Sequence, residues 1–164
     1  MTGPHIIVMG TSGTGKSTVG KLLADALDLP WLDGDDLHPP PNIAKMTVGE
    51  PLTDEDRRPW LQAVGRWLAQ RPAGGVIACS ALKRPYRDLL RTAVPGVRFV
   101  HLQGEQAVLA ERMGKRRGHF MPASLLDSQL AVLEPLGADE AGCEFDVAHS
   151  PSVLVAQIGN WLDA

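Results

Sequence analysis

Eight consecutive residues, Gly10-Thr11-Ser12-Gly13-Thr14-Gly15-Lys16-Ser17, follow the apolar run His5-Ile6-Ile7-Val8-Met9 and fit the pattern G-x-x-x-x-G-K-[ST]. The chemistry this spacing can do is phosphate binding. Glycines at 10, 13 and 15 let the backbone turn its N–H groups inward, at the positive end of the helix that follows. Lys16 would reach the β- and γ-phosphates of a nucleoside triphosphate, and Ser17 would offer a hydroxyl to Mg²⁺, with Thr18 as the neighbouring substitute.

Acidic residues gather next. Asp33-Gly34-Asp35-Asp36 closes a short apolar stretch, Trp31-Leu32, at the edge of a parallel sheet where ligands collect. A carboxylate there can orient an attacking hydroxyl and accept its proton, and a second can hold Mg²⁺ through water. Asp35 takes the first role and Asp33 the second, while Asp36 has the form of a helix cap.

Cations and hydrogen-bonding groups follow along the chain. His38, Asn42 and Lys45 lie in a segment rich in loop formers, and Arg57 and Arg58 stand in the first turn of a helix, where they oppose its dipole. The acids Asp54, Glu55 and Asp56 offer one compensation and a bound anion would offer another. Ser80, Lys83, Arg84 and Arg87 follow the third strand, at the same edge of the sheet. Arg112, Lys115, Arg116 and Arg117 cluster where a basic lid would close on a transferring phosphoryl group.

The elements that must position these groups are α/β: short apolar strands alternating with longer helical patterns. The spacing predicts strands at His5–Met9, Trp31–Asp33, Gly75–Cys79, Val97–Leu102 and Phe145–Val147. It predicts helices over Lys16–Leu27, from a Thr53 cap to about Gln70, from Pro85 onward, over Gln106–Lys115, from Pro122 to about Leu133, and over Ser152–Leu162. The Pro39-Pro40-Pro41 run and the segment from Gly137 to Gly142 read as loops. With 164 residues, 44% of them hydrophobic, one domain with residues from about 112 to 135 as a lid accounts for the chain.

Composition narrows the partners. A net charge of −3 provides no basic field for nucleic acid. No stretch approaches the roughly 20 apolar residues of a membrane span, and Cys79 and Cys143 form neither a CxxC motif nor a metal-spaced set, so a cytoplasmic protein acting on a small molecule is expected.

Taken with the phosphate loop, the blocks Asp35-Asp36-Leu37-His38-Pro39, Asn42, Lys45-Met46, Gly49-Glu50-Pro51-Leu52, Asp54, Asp56-Arg57 and Pro59-Trp60-Leu61 make a specific pattern. It continues through Cys79-Ser80-Ala81-Leu82-Lys83, Tyr86-Arg87-Asp88, Arg112, Arg116, Gly118-His119-Phe120-Met121 and the stretch from Gln129 to Pro135. The chain resembles the small phosphate-loop gluconokinases, related in fold to shikimate and adenylate kinases. Thr11, where valine is usual, and the region after Asp139 depart from that pattern.

The resemblance implies a P-loop kinase, a three-layer α/β/α sandwich with a central parallel sheet and a small helical lid. Its implied activity is ATP- and Mg²⁺-dependent phosphorylation of D-gluconate to 6-phosphogluconate by a homodimer. Another small hydroxy acid such as shikimate is the alternative substrate, and a nucleotide-binding module without catalysis the alternative class. The loop from Gly10 to Thr18 would hold ATP, Arg112 would lie near adenine and Arg116 near the phosphates, where it would be catalytic beside Lys16 and Asp35. Substrate would meet some of Asp35, His38, Lys45, Arg57, Arg58, Ser80, Lys83, Arg87 and His119.

Overall fold

A computed structural model describes residues 3–11, 13–115 and 123–164, without the side chains of 113–115 and 123–125. Ser12, Arg116, Arg117 and His119 lie outside the described residues, as does the side chain of Lys115.

The strands β1 (His5–Met9), β2 (Trp31–Asp33), β3 (Gly75–Ala78), β4 (Arg98–Gln103) and β5 (Gly142–Asp146) form one parallel sheet in the order β2-β3-β1-β4-β5. Alternation along β1 assigns its side chains to two cores. Ile6 and Val8 pack with Val19, Leu23, Leu154 and Ile158 from α1 (Lys16–Leu27) and α7 (Pro151–Asp163). Ile7 and Met9 pack with Trp60, Leu61, Val64 and Leu90 from α3 (Asp54–Ala69) and α4 (Arg84–Ala93). Helices on both faces of a parallel sheet give the three-layer arrangement expected from the strand-helix alternation.

Two further helices, α5 (Gln106–Lys115) and α6 (Ala123–Val132), pack on each other beyond β4. β1 carries the phosphate loop at its carboxyl end, and β2 and β3 end beside it, so all three sequence clusters meet at one edge.

Two expectations need correction. The proline run does not stay a loop: α2 spans Pro40–Thr47 with Pro40 and Pro41 in its first turn. Those positions have no intrahelical N–H partner to lose, and the fixed φ of proline suits a helix start. The last strand begins earlier than expected, at Gly142, because this edge strand pairs with β4 from Phe99 onward.

Candidate active site

Local rules build the phosphate loop. Gly10, Gly13 and Gly15 all have positive φ, and a Cβ on Gly10 would lie 2.5 Å from the Leu102 carbonyl oxygen. Gly15 caps α1 without a side-chain hydrogen bond, and no acidic residue stands in the first turn. A helix start whose cap residue offers no side chain and whose first turn holds no acid suits an anion. Thr14 braces the loop from inside, its hydroxyl donating to the Thr11 carbonyl at 2.9 Å. Lys16 Nζ donates to the carbonyls of Gly10 and Thr11, each at 3.0 Å, keeping its charge against the loop.

In the first turn of α1, Ser17 Oγ donates to Asp33 Oδ2 at 2.9 Å. The other oxygen of Asp33 accepts the backbone N–H of Asp35 at 3.0 Å and so caps the 3-10 turn Gly34–Leu37. The capping role expected of Asp36 thus belongs to Asp33, because the cap must precede the turn's first N–H groups. Gly34 permits this close fit: a Cβ there would lie 2.2 Å from the Ala78 carbonyl oxygen on the adjacent strand. Asp33, Asp35 and Lys16 lie near enough to the buried Cys79 thiol to affect it; burial first, then Asp35, pushes its pKa up to about 12, so it stays a neutral thiol.

The turn is held from α3. Trp60 Nε1 donates to the Gly34 carbonyl at 2.8 Å, and the His38 ring stacks on the Trp60 ring with centroids 4.3 Å apart. Asn42 Nδ2 donates to His38 Nδ1 at 3.2 Å and to the Asp56 carbonyl at 2.9 Å, which leaves the imidazole hydrogen on Nε2. Burial, reinforced by the Arg57 charge, lowers the His38 pKa to about 4. His38 is therefore a neutral hydrogen-bonding group near pH 7.

The N-terminal end of α3 has the capping box that the sequence predicts: Thr53 accepts from the Asp56 N–H and Asp56 from the Thr53 N–H. Lys45 pairs with Asp56 at 2.7 Å. Arg57 donates to the Leu52 carbonyl at 2.7 Å and to Tyr86 Oη at 3.3 Å. Tyr86 donates in turn to Asp54, which also pairs with Lys83 at 3.1 Å. Arg57 and Lys83 both lie over the Tyr86 ring, at 5.7 and 5.6 Å from its centroid. Arg58 and Lys83 line a cavity of about 200 Å³ between α3 and α4, with Leu61, Tyr86 and Leu89.

Elsewhere, the Ser80 carbonyl accepts from the Gly10 N–H at 3.3 Å, joining the third strand's exit to the phosphate loop. Thr18 is exposed on α1. Arg112 is also exposed, and its Nη2 donates to the Val147 carbonyl at 2.7 Å.

Arg87 was expected at the substrate and is not on the surface at all: its side chain is 0% exposed and pairs with Glu140, also 0% exposed, at 2.8 Å. A long cation can sit there because Glu140 and four backbone carbonyls take its donors. Trp60 and Tyr86, which the sequence singles out only within the blocks Pro59-Trp60-Leu61 and Tyr86-Arg87-Asp88 and not as site residues, are the aromatic centres of the two networks.

The sequence matches the shikimate kinase family model over residues 12–135. It is 47% identical over 156 residues to the gluconokinase of Gluconobacter oxydans, covering 93% of this chain and 88% of that protein. This chain belongs to the gluconokinase family. A second relative of that family, the thermosensitive gluconokinase of Escherichia coli, is 47% identical over 161 residues, covering 96% of this chain and 86% of that one. The crystal structure of a gluconokinase from Sinorhizobium meliloti superposes with a TM-score of 0.86 at 48% identity, covering 97% of this chain and 95% of that one. Gluconokinase family membership makes the α/β/α sheet a P-loop kinase fold and the protein an enzyme.

Proposed function

We propose that this enzyme transfers the γ-phosphoryl group of ATP to a terminal hydroxyl of D-gluconate, giving 6-phosphogluconate and ADP. One observation carries the chemistry: the Ser17–Asp33 hydrogen bond, which joins the phosphate loop to the turn bearing Asp35. The relatives named as gluconokinases supply the acceptor.

Lys16 and the first-turn amides of α1 bind the triphosphate and offset the charge that develops on its oxygens. Asp35 orients the substrate hydroxyl and takes its proton as the new O–P bond forms and the bond from Pγ to the β-phosphate oxygen breaks. Mg²⁺ fits the donors present, because Ser17 and Asp33 are hard oxygen donors and few in number, which suits an ion that keeps several waters and takes further ligands from phosphates. When bound it neutralises phosphate charge. Ser17 would hold it directly and Asp33 through water.

Arg57, Arg58 and Lys83, gathered near Tyr86, form the cationic end for the carboxylate. His38 serves the hydroxyls through Nε2–H, and Ser80 lies beside the phosphate loop for the same purpose. Lys45 is already paired with Asp56 and is assigned to the substrate less directly. By family resemblance Arg112 lies near adenine and Arg116 at the phosphates, the two arginines completing the charge clamp, and His119 meets the substrate, within one domain whose lid spans about 112 to 135. A homodimer in the cytoplasm belongs to the same reading; none of the described helices is long and apolar enough to cross a membrane.

The test is ADP release with Mg-ATP against D-gluconate, other aldonates, shikimate and nucleoside monophosphates. Selective turnover of gluconate is expected. Turnover of another acid alone would replace the substrate, and ATP binding without turnover of any acceptor would remove the kinase assignment.

A further inference from the structure

Two segments far apart in sequence meet on one guanidinium. Arg87 Nη1 donates to the carbonyls of Ala81 at 2.9 Å and Leu82 at 3.3 Å, while Nη2 donates to those of Glu134 at 2.9 Å and Pro135 at 3.3 Å. The Glu140 carboxylate receives Nε at 2.8 Å and Nη2 at 3.2 Å, and takes Arg91 Nη1 at 2.8 Å as well. The same segments touch directly: the Glu134 N–H donates to the Leu82 carbonyl at 2.7 Å, and the Glu134 carboxylate accepts the Arg84 N–H at 2.9 Å.

The first segment is the exit of β3. It lies between the phosphate loop, through the Gly10 N–H to Ser80 carbonyl bond, and the Asp33–Asp35 turn on the neighbouring β2. Within it Ala81 has φ of +45°, a left-handed backbone that a residue with a Cβ keeps only where its surroundings dictate it. Arg87 supplies that dictate by holding the Ala81 carbonyl. The second segment begins just past the last residue of α6.

We propose that Arg87, backed by Glu140, is a positioning residue for the acceptor side of the reaction. It fixes the Ser80–Leu82 backbone against the segment leaving α6, and touches neither substrate itself. This inference rests on the reading of Ser80 and Lys83 as acceptor-side residues. A lysine in its place could keep the charge for Glu140 but has no planar fork to serve both segments at once.

The experiment is Arg87→Lys, read by thermal melting, by Kd for ATP from nucleotide fluorescence, and by steady-state kinetics with gluconate. A cooperative melt is expected, with ATP Kd within about threefold of wild type and kcat/KM for gluconate lower by between about tenfold and a hundredfold, the range a small displacement of a positioned group produces. Adding Ala81→Gly, which adopts the left-handed backbone without penalty, should recover part of that loss. Wild-type kinetics in folded Arg87→Lys would overturn the proposal, as would a loss that merely tracks the folded fraction, an equal loss of ATP binding, or no recovery with Ala81→Gly. If Arg87→Lys does not fold, Glu140→Gln is read by the same criteria. Gluconate turnover by the wild-type enzyme, measured first, separates failure of this inference from failure of the substrate assignment.

Discussion

The indole N–H of Trp60 holds the carbonyl of Gly34, so a side chain inside α3 fixes the peptide that leads into Asp35. The expected consequence is kinetic. Trp60→Phe keeps an aromatic ring against His38 but leaves the Gly34 carbonyl without its donor, a cost of about 1–3 kcal/mol where the group stays dry. If that cost falls on the placement of Asp35, kcat with gluconate drops about tenfold while ATP affinity stays near wild type. Steady-state kinetics beside an ATP binding curve checks this, and an unchanged kcat would detach α3 from the reaction.

Asp35→Asn removes the proton acceptor and leaves a side chain of nearly the same shape. Turnover should fall by about 10² to 10⁴, the usual contribution of a positioned general base, with ATP still bound. Rapid-quench measurement of the phosphoryl-transfer step separates this loss from slowed product release. A variant with full turnover would take Asp35 out of the mechanism.

Much of this site was legible because its rules are local. Glycine spacing around Lys16, the Thr53 to Asp56 capping box and the two-residue alternation of Ile6 to Met9 each depend on neighbours in the chain. Arg87 was not legible in this way, since Glu140, which makes its burial tolerable, stands 53 residues away. A signal was present: Arg87 lies three residues before Leu90 and seven before Val94, on the buried stripe of α4. The proline run misled for the opposite reason. Proline is disfavoured inside a helix, although α3 accommodates Pro59, but it suits the first turn, and only the residues after Pro41 decide between loop and helix.

His38 should make stability depend on pH in a definite direction. Its folded pKa of about 4 lies below the ordinary 6.5, so between these values the unfolded chain binds a proton that the folded protein does not. Stability from this group is complete above pH 6.5 and is lost as pH falls towards 4, by at most about 3 kcal/mol. Buried His101, also lowered by desolvation, acts in the same sense. Urea unfolding of wild type and His38→Phe at pH 7.5 and 4.5 isolates the His38 share. Wild type should lose more between the two pH values, and equal losses would show that His38 titrates normally.

The shared hydrogen bond of Ser17 and Asp33 predicts a specific Mg²⁺ phenotype. In Asp33→Asn the amide oxygen can still cap the turn by accepting the Asp35 N–H, while the amide nitrogen donates to Ser17. The turn should therefore survive while the negative charge beside the metal is lost. The free Mg²⁺ needed for half-maximal rate should rise by about tenfold to a hundredfold, the usual cost of losing an outer-sphere carboxylate, and excess Mg²⁺ should restore most of kcat. Ser17→Ala should raise the requirement too, but with a lower rate at saturation, since it removes a direct ligand. Rates measured against free Mg²⁺ at fixed ATP distinguish the two patterns. An unchanged requirement in both variants would mean that the metal is held by phosphates and water without help from this pair.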